Sequence, residues 1–211
     1  MNLFHIDSPL IQKLAKLANL IFLNLLWLVF CIPVITAGAA TTAMYQLVFE
    51  YINGTEDSVF LPFLRAFSRN FKRSTLIWVA ILFIGAILAY DFLFLSVSGL
   101  SSLHPLWIVF YLVCIFLLIV LTYIFPLEAR FHNSILNQFR NCYTLFVLNF
   151  LPSIALLLLA ALPWLLILLS PSLFLKTSIF WIMVGFALCA YLSGIILLHI
   201  FRKYSHDEAS G

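Results

Sequence analysis

The chain has 211 residues, of which 64% are hydrophobic and only 9% charged, with a formal net charge of +3 at pH 7. A water-soluble domain is roughly a quarter charged and about half apolar, so no soluble fold hides this much hydrocarbon; the length suits one membrane domain of about five to seven helices. The basic balance, with a pI of about 8.7, lies beside hydrophobic runs, where positive-inside topology explains it without nucleic acid.

Residues 1–16 read as a mildly amphipathic lead-in. Lys13 and Lys16 before an apolar run, followed by the small residues Thr36-Ala37-Gly38-Ala39, imitate a signal peptide. The run is longer than an h-region of roughly 7 to 15 residues and further spans follow, so a retained first span over 17–35 is expected, stopped by Pro33. Bulky Phe30 before Cys31 argues against a lipoprotein site. Residues 36–52 form a weaker apolar segment in which Gly38, Ala39 and Ala43 are candidates for close helix packing. Four stronger spans follow at 75–97, 106–125, 144–169 and 179–201, the third of these bent at Pro152 and Pro163; each approaches the roughly 30 Å of a hydrocarbon layer at about 1.5 Å per residue.

Loop charges orient the spans. Basic residues cluster between Arg65 and Arg73, at Arg130 and Arg140, and at Arg202 and Lys203, whereas the loop 98–105 has none and 170–178 has only Lys176. The rich loops are expected in the cytoplasm. Five spans alone would leave Lys13 and Lys16 outside; a crossing at 36–52 brings both termini and every rich loop to one side. The expectation is therefore a single all-α domain over 1–211, a polytopic transmembrane helix bundle of six spans, with five plus a re-entrant helix as the alternative. It would sit in the bacterial plasma membrane with both termini cytoplasmic, and Trp107, Trp164 and Trp181 would lie near the outer interface.

Two connectors, 58–73 and 130–143, are expected as amphipathic cytoplasmic helices. In the first, Phe60, Phe63, Leu64, Phe67 and Phe71 share a face opposite Arg65, Arg69, Lys72 and Arg73. In the second, Phe131, Ile135, Phe139 and Tyr143 oppose Asn133, Asn137, Arg140 and Asn141. Asn70-Phe71-Lys72 and Gln138-Phe139-Arg140 echo one another ahead of a span, as a duplicated hairpin would or as two membrane entry points would independently.

Asp91 is the one acidic residue well inside an expected span, where a charge costs about 2.5–3.5 kcal/mol at the bilayer centre. With Asn19 and Asn24 it makes a candidate intramembrane polar site; the competing reading lets Asp91 reach the outer interface. Arg65, Arg69, Lys72, Arg73, Glu128 and Arg130 form a candidate docking or lipid-headgroup surface, and lipid is the simpler occupant at about 1 kcal/mol per basic residue. Glu50 reads as a snorkelling or locally paired group, and Asn149 and His199 as helix-packing polar groups. Four dispersed cysteines, five scattered histidines and seven glycines supply no CxxC, HExxH or phosphate-binding loop, so neither a metal, a cofactor nor a catalytic centre is expected. The sequon Asn53-Gly54-Thr55, before Glu56 and Asp57, is read as a glycine-assisted turn.

The runs Asn24-Leu25-Leu26-Trp27, Ile32-Pro33-Val34-Ile35-Thr36-Ala37-Gly38-Ala39-Ala40-Thr41-Thr42-Ala43-Met44-Tyr45, Phe63-Leu64-Arg65-Ala66-Phe67, Asn70-Phe71-Lys72 and Pro126-Leu127-Glu128-Ala129-Arg130-Phe131 together resemble the YesL-like family of bacterial membrane proteins. Its members are mostly Gram-positive and commonly accompany carbohydrate ABC importers and polysaccharide-degrading enzymes. The resemblance implies an accessory membrane subunit partnering an importer's permease or ATPase subunits. It carries over no catalytic residue, and the acidic-Ala-Ala loop of importer permeases is absent: Glu128-Ala129-Arg130 does not supply it. A stand-alone small-solute transporter or channel is the alternative.

Overall fold

A computed structural model describes residues 9–55, 58–98, 105–131 and 134–209. The Lys13 side chain, Glu56, Asp57, Asn133 and most of the 98–105 loop lie outside the described residues. Every regular element among the described residues is helical: α1 (Pro9–Cys31), α2 (Ala37–Ile52), α3 (Phe60–Val97), α4 (Pro105–Arg130), α5 (Ile135–Leu148), α6 (Phe150–Leu169), α7 (Pro171–Phe180) and α8 (Phe186–Ala209). A 3-10 turn, Val34–Thr36, joins α1 to α2, and a π turn, Trp181–Gly185, joins α7 to α8. The chain is an all-α polytopic bundle.

Pro33 ends α1 by leaving the helical region, at φ −75° and ψ 104°. The Thr36 hydroxyl lies 2.6 Å from the Phe30 carbonyl and 2.8 Å from that of Pro33, and the Trp78 indole N–H donates to the Val34 carbonyl at 2.7 Å. The turn is thus pinned beside the middle of α3.

From there α2 runs back through the centre of the molecule, enclosed by α1, α3, α4 and α8. Ala39, Ala40, Thr42, Ala43 and Val48 are fully buried. Small residues make this enclosure possible: a β-carbon on Gly38 would stand 2.5 Å from Cβ of Trp78 and 2.8 Å from the Ser74 carbonyl oxygen. Helices that approach this closely gain dispersion contact where apolar burial gives no drive, because lipid is as apolar as the core.

Five helical stretches are long and apolar enough to cross a membrane: α1, α3, α4, α6 and the continuous α7–α8. With 16 residues, α2 reaches roughly 24 Å, short of a hydrocarbon layer, and its start lies at Trp78 while α3 continues from Val79 to Val97, roughly 28 Å further. The bundle therefore follows the arrangement of five spans plus one short internal helix rather than six equal crossings.

Two other boundaries differ from the sequence reading. The first connector is not a separate surface helix: α3 is unbroken over 38 residues, because Pro62 falls harmlessly in the first turn and nothing between Arg73 and Thr75 breaks a helix. The second connector is separate. Ser134 caps α5 by accepting from the Asn137 amide, and the chain breaks at Asn149, at φ −125° and ψ 48°. The expected bend at Pro152 thus occurs at Asn149, with Pro152 inside the first turn of α6; Pro163 is buried within α6. The last crossing begins earlier than residue 179, at Pro171.

Candidate functional site

Asn24 is fully buried on α1, and its partners lie on the last helix. Its side-chain amide donates to the carbonyls of Trp181 at 3.0 Å and Ile182 at 2.7 Å, and its carbonyl accepts from the Ala187 backbone N–H at 2.8 Å. A π turn leaves helix groups without regular partners, and one asparagine amide, with donors and an acceptor on the same plane, satisfies both signs at once. Trp181 fills the space beside the turn at 3% exposure, close against Gly185 and Phe186, whose ring centroid is 5.4 Å away. Trp181 is therefore a core residue rather than an interface anchor; Trp164, 67% exposed, remains available for that role.

Next to the π turn, Trp27, Thr41, Tyr45, Pro163, Phe186 and Ser193 line a cavity of about 110 Å³. Pro163 cannot donate to the Leu159 carbonyl, so a gap in the hydrogen-bond ladder of α6 faces this cavity. The Trp27 indole is already committed to Thr41, at 3.1 Å.

A second polar cluster joins α3, α4 and α5. Glu128, 1% exposed, pairs with the Arg73 guanidinium at 2.9 Å, and Gln138, fully buried, donates to the other carboxylate oxygen and to the Phe131 carbonyl. A buried carboxylate needs such partners on both oxygens. Arg130 lies 5.7 Å from the ring centroids of Phe131 and Phe201, so its charge rests on aromatic faces. Of the basic surface expected from sequence, Arg73 and Glu128 are thus tied to each other, whereas Arg65, Arg69, Lys72 and Arg130 are exposed.

Arg65 and Arg69 border a groove of about 520 Å³, lined also by Gln46, Glu50, Thr55, Pro62 and Ala66. Gln46 organises it. Its carbonyl oxygen accepts from Arg69 at 2.9 Å and from Asn70 at 3.3 Å, and its amide donates to Glu50 at 2.9 Å. Sequence reasoning passed over Gln46; the i, i+4 pairing with Glu50 on an otherwise apolar helix was the available signal. Beyond the groove, Gly54 takes φ +69° and Thr55 bonds the Glu50 carbonyl at 3.0 Å, forming the expected glycine turn, and Arg202 donates to Asn53 at 3.1 Å.

The three residues of the candidate intramembrane site do not meet. Asn24 serves the π turn, Asn19 donates to the Tyr51 hydroxyl at 3.2 Å, and Asp91 stands on the far half of α3, half-buried. Asn149 bridges to the Tyr204 hydroxyl at 3.2 Å, while His199 is exposed. The four cysteines are free, and burial pushes the Cys142 thiol on α5 up to about 12. No group of three His, Cys, Asp or Glu side chains suited to a metal occurs among the described residues.

Residues 20–92 match the family described as protein of unknown function, DUF624. No curated protein and no solved structure matches the chain.

Proposed function

We propose, from the match of residues 20–92 to DUF624, which is the YesL-like family, that the chain is an accessory integral membrane subunit of a bacterial carbohydrate ABC importer, aiding its assembly, stability or activity. The observation that carries this reading is α3, a single helix of 38 residues that holds the exposed Arg65, Arg69 and Lys72 in rigid continuation of a membrane span. A charged segment fixed to a span is suited to meeting a partner at the membrane surface, whereas a loosely tethered loop would lose affinity to ordering entropy. The chain's polar networks are internal ties, which fits a scaffold. Positive-inside bias puts the basic end of α3 in the cytoplasm of a cell whose plasma membrane holds the bundle. Affinity purification from the native host in mild detergent should recover permease and ATPase subunits; a monodisperse particle without them would overturn the proposal.

A second reading, a stand-alone small-solute transporter, is favoured by one observation: the gap in the helix ladder at Pro163 faces a cavity, as broken helices do at transporter sites. Asp91 does not line that cavity. Sugar flux into proteoliposomes that persists in Asp91→Asn but falls in Ser193→Leu would support it, and absence of flux would remove it.

A further inference from the structure

The groove between the end of α2 and the start of α3 has the size of a small-molecule site, about 520 Å³, within the usual range of roughly 300–1,000 Å³. Its polar groups are placed rather than loose. Gln46 holds the Arg69 guanidinium on one side and the Glu50 carboxylate on the other, while Asn70, 3% exposed, braces Gln46 from beneath. Arg65 lines the same groove one helical turn before Arg69 and has no partner among the described residues.

We propose that this groove binds the headgroup of an anionic phospholipid of the phosphatidylglycerol type, its phosphodiester between Arg65 and Arg69 and its hydroxyls toward Glu50. Two adjacent guanidiniums suit phosphate oxygens. The carboxylate alongside them disfavours a doubly charged phosphomonoester by like-charge repulsion and accepts from a headgroup hydroxyl. A lipid rather than a free phosphate is indicated by the surroundings. Leu61, 65% exposed, precedes Arg65 by one turn, and Phe60, 48% exposed, pairs with Phe22 at 6.2 Å, giving acyl chains an apolar flank. The unbroken run of α3 from these arginines into a span keeps the groove at the membrane boundary.

Native mass spectrometry of the purified full chain in nonionic detergent, titrated with phosphatidylglycerol or phosphatidylcholine, tests the assignment. Phosphatidylglycerol should bind about tenfold or more tighter; Arg65→Gln should weaken it roughly fivefold and the Arg65→Gln/Arg69→Gln pair roughly thirtyfold, with Lys203→Gln unchanged. Arg65→Gln breaks no described contact, so it reports even where the double variant does not fold. Equal binding of the two lipids, or unaltered binding by Arg65→Gln, would overturn the site. Displacement by soluble glycerol phosphate at the same concentration as the lipid would do so too, by making a free phosphate the occupant. None of these outcomes depends on an importer partner.

Discussion

The half of the bundle around α2 and the half formed by the far ends of α3, α4, α6 and α7 are held by different forces. Around α2, buried polar side chains are stitched between helices: Asn24, Thr42, Asn70, Ser74, Glu128, Gln138, Ser153 and Ser193 are all nearly inaccessible. In the far half the helices expose apolar side chains such as Phe83, Tyr90, Leu93, Leu112 and Leu168, and α7 buries no residue at all. The first half is specified by hydrogen bonds and close backbone approach, which tolerate little change; the second relies on lipid as its solvent, where one apolar side chain replaces another at small cost.

That contrast can be broken by substitution. The largest expected effect is at Cys142: with its thiol at about 12 against an ordinary 9.0, the thiolate needed for alkylation is scarce. Maleimide labelling at pH 8 should be roughly a thousandfold slower in the folded chain than in the unfolded one; equal rates would mean that α5 does not pack as described. Glu128→Ala removes the buried carboxylate that Arg73 and Gln138 share and should destabilise by about 1–3 kcal/mol, seen as a fall in thermal unfolding temperature in detergent. Gly38→Val drives a side chain into Trp78 and the Ser74 carbonyl, and should destabilise by about 1–3 kcal/mol or more, with Gly38→Ala intermediate. Asn24→Leu removes three hydrogen bonds and orphans backbone groups at the π turn, for about 2 kcal/mol. In the far half, Leu112→Val or Leu168→Val should change stability by no more than about 0.5 kcal/mol; a larger loss would show that the two halves are built alike.

Legibility from sequence follows the same division. The far half was readable because its physics is one-dimensional: uninterrupted hydrocarbon of the right length places 106–125 inside α4 and 75–97 inside α3. The half around α2 was readable only in part. Gly38, Ala39 and Ala43 announced close packing, and Pro33 the end of α1. Yet the depth reached by α2 depends on contacts such as Trp78 with Val34, which connect residues far apart in the chain. The same holds for Asn24, which sequence placed correctly in a span but could not join to Trp181, Ile182 and Ala187. Asp91, the most conspicuous polar residue by composition, takes no part in either polar network, because insertion cost measures local exception and not convergence of partners.

The bond between Asn24 and the last helix spans 157 to 163 positions of chain. During synthesis the first helix leaves the ribosome long before those carbonyls and that amide exist. Its asparagine must meanwhile find temporary partners in water, lipid or the insertion machinery. The N-terminal hairpin can therefore reach its final packing only after the last helix has been delivered, so a chain cut short before Trp181 would display an unmet amide in its first helix, a feature by which a membrane protease could distinguish incomplete chains from finished ones.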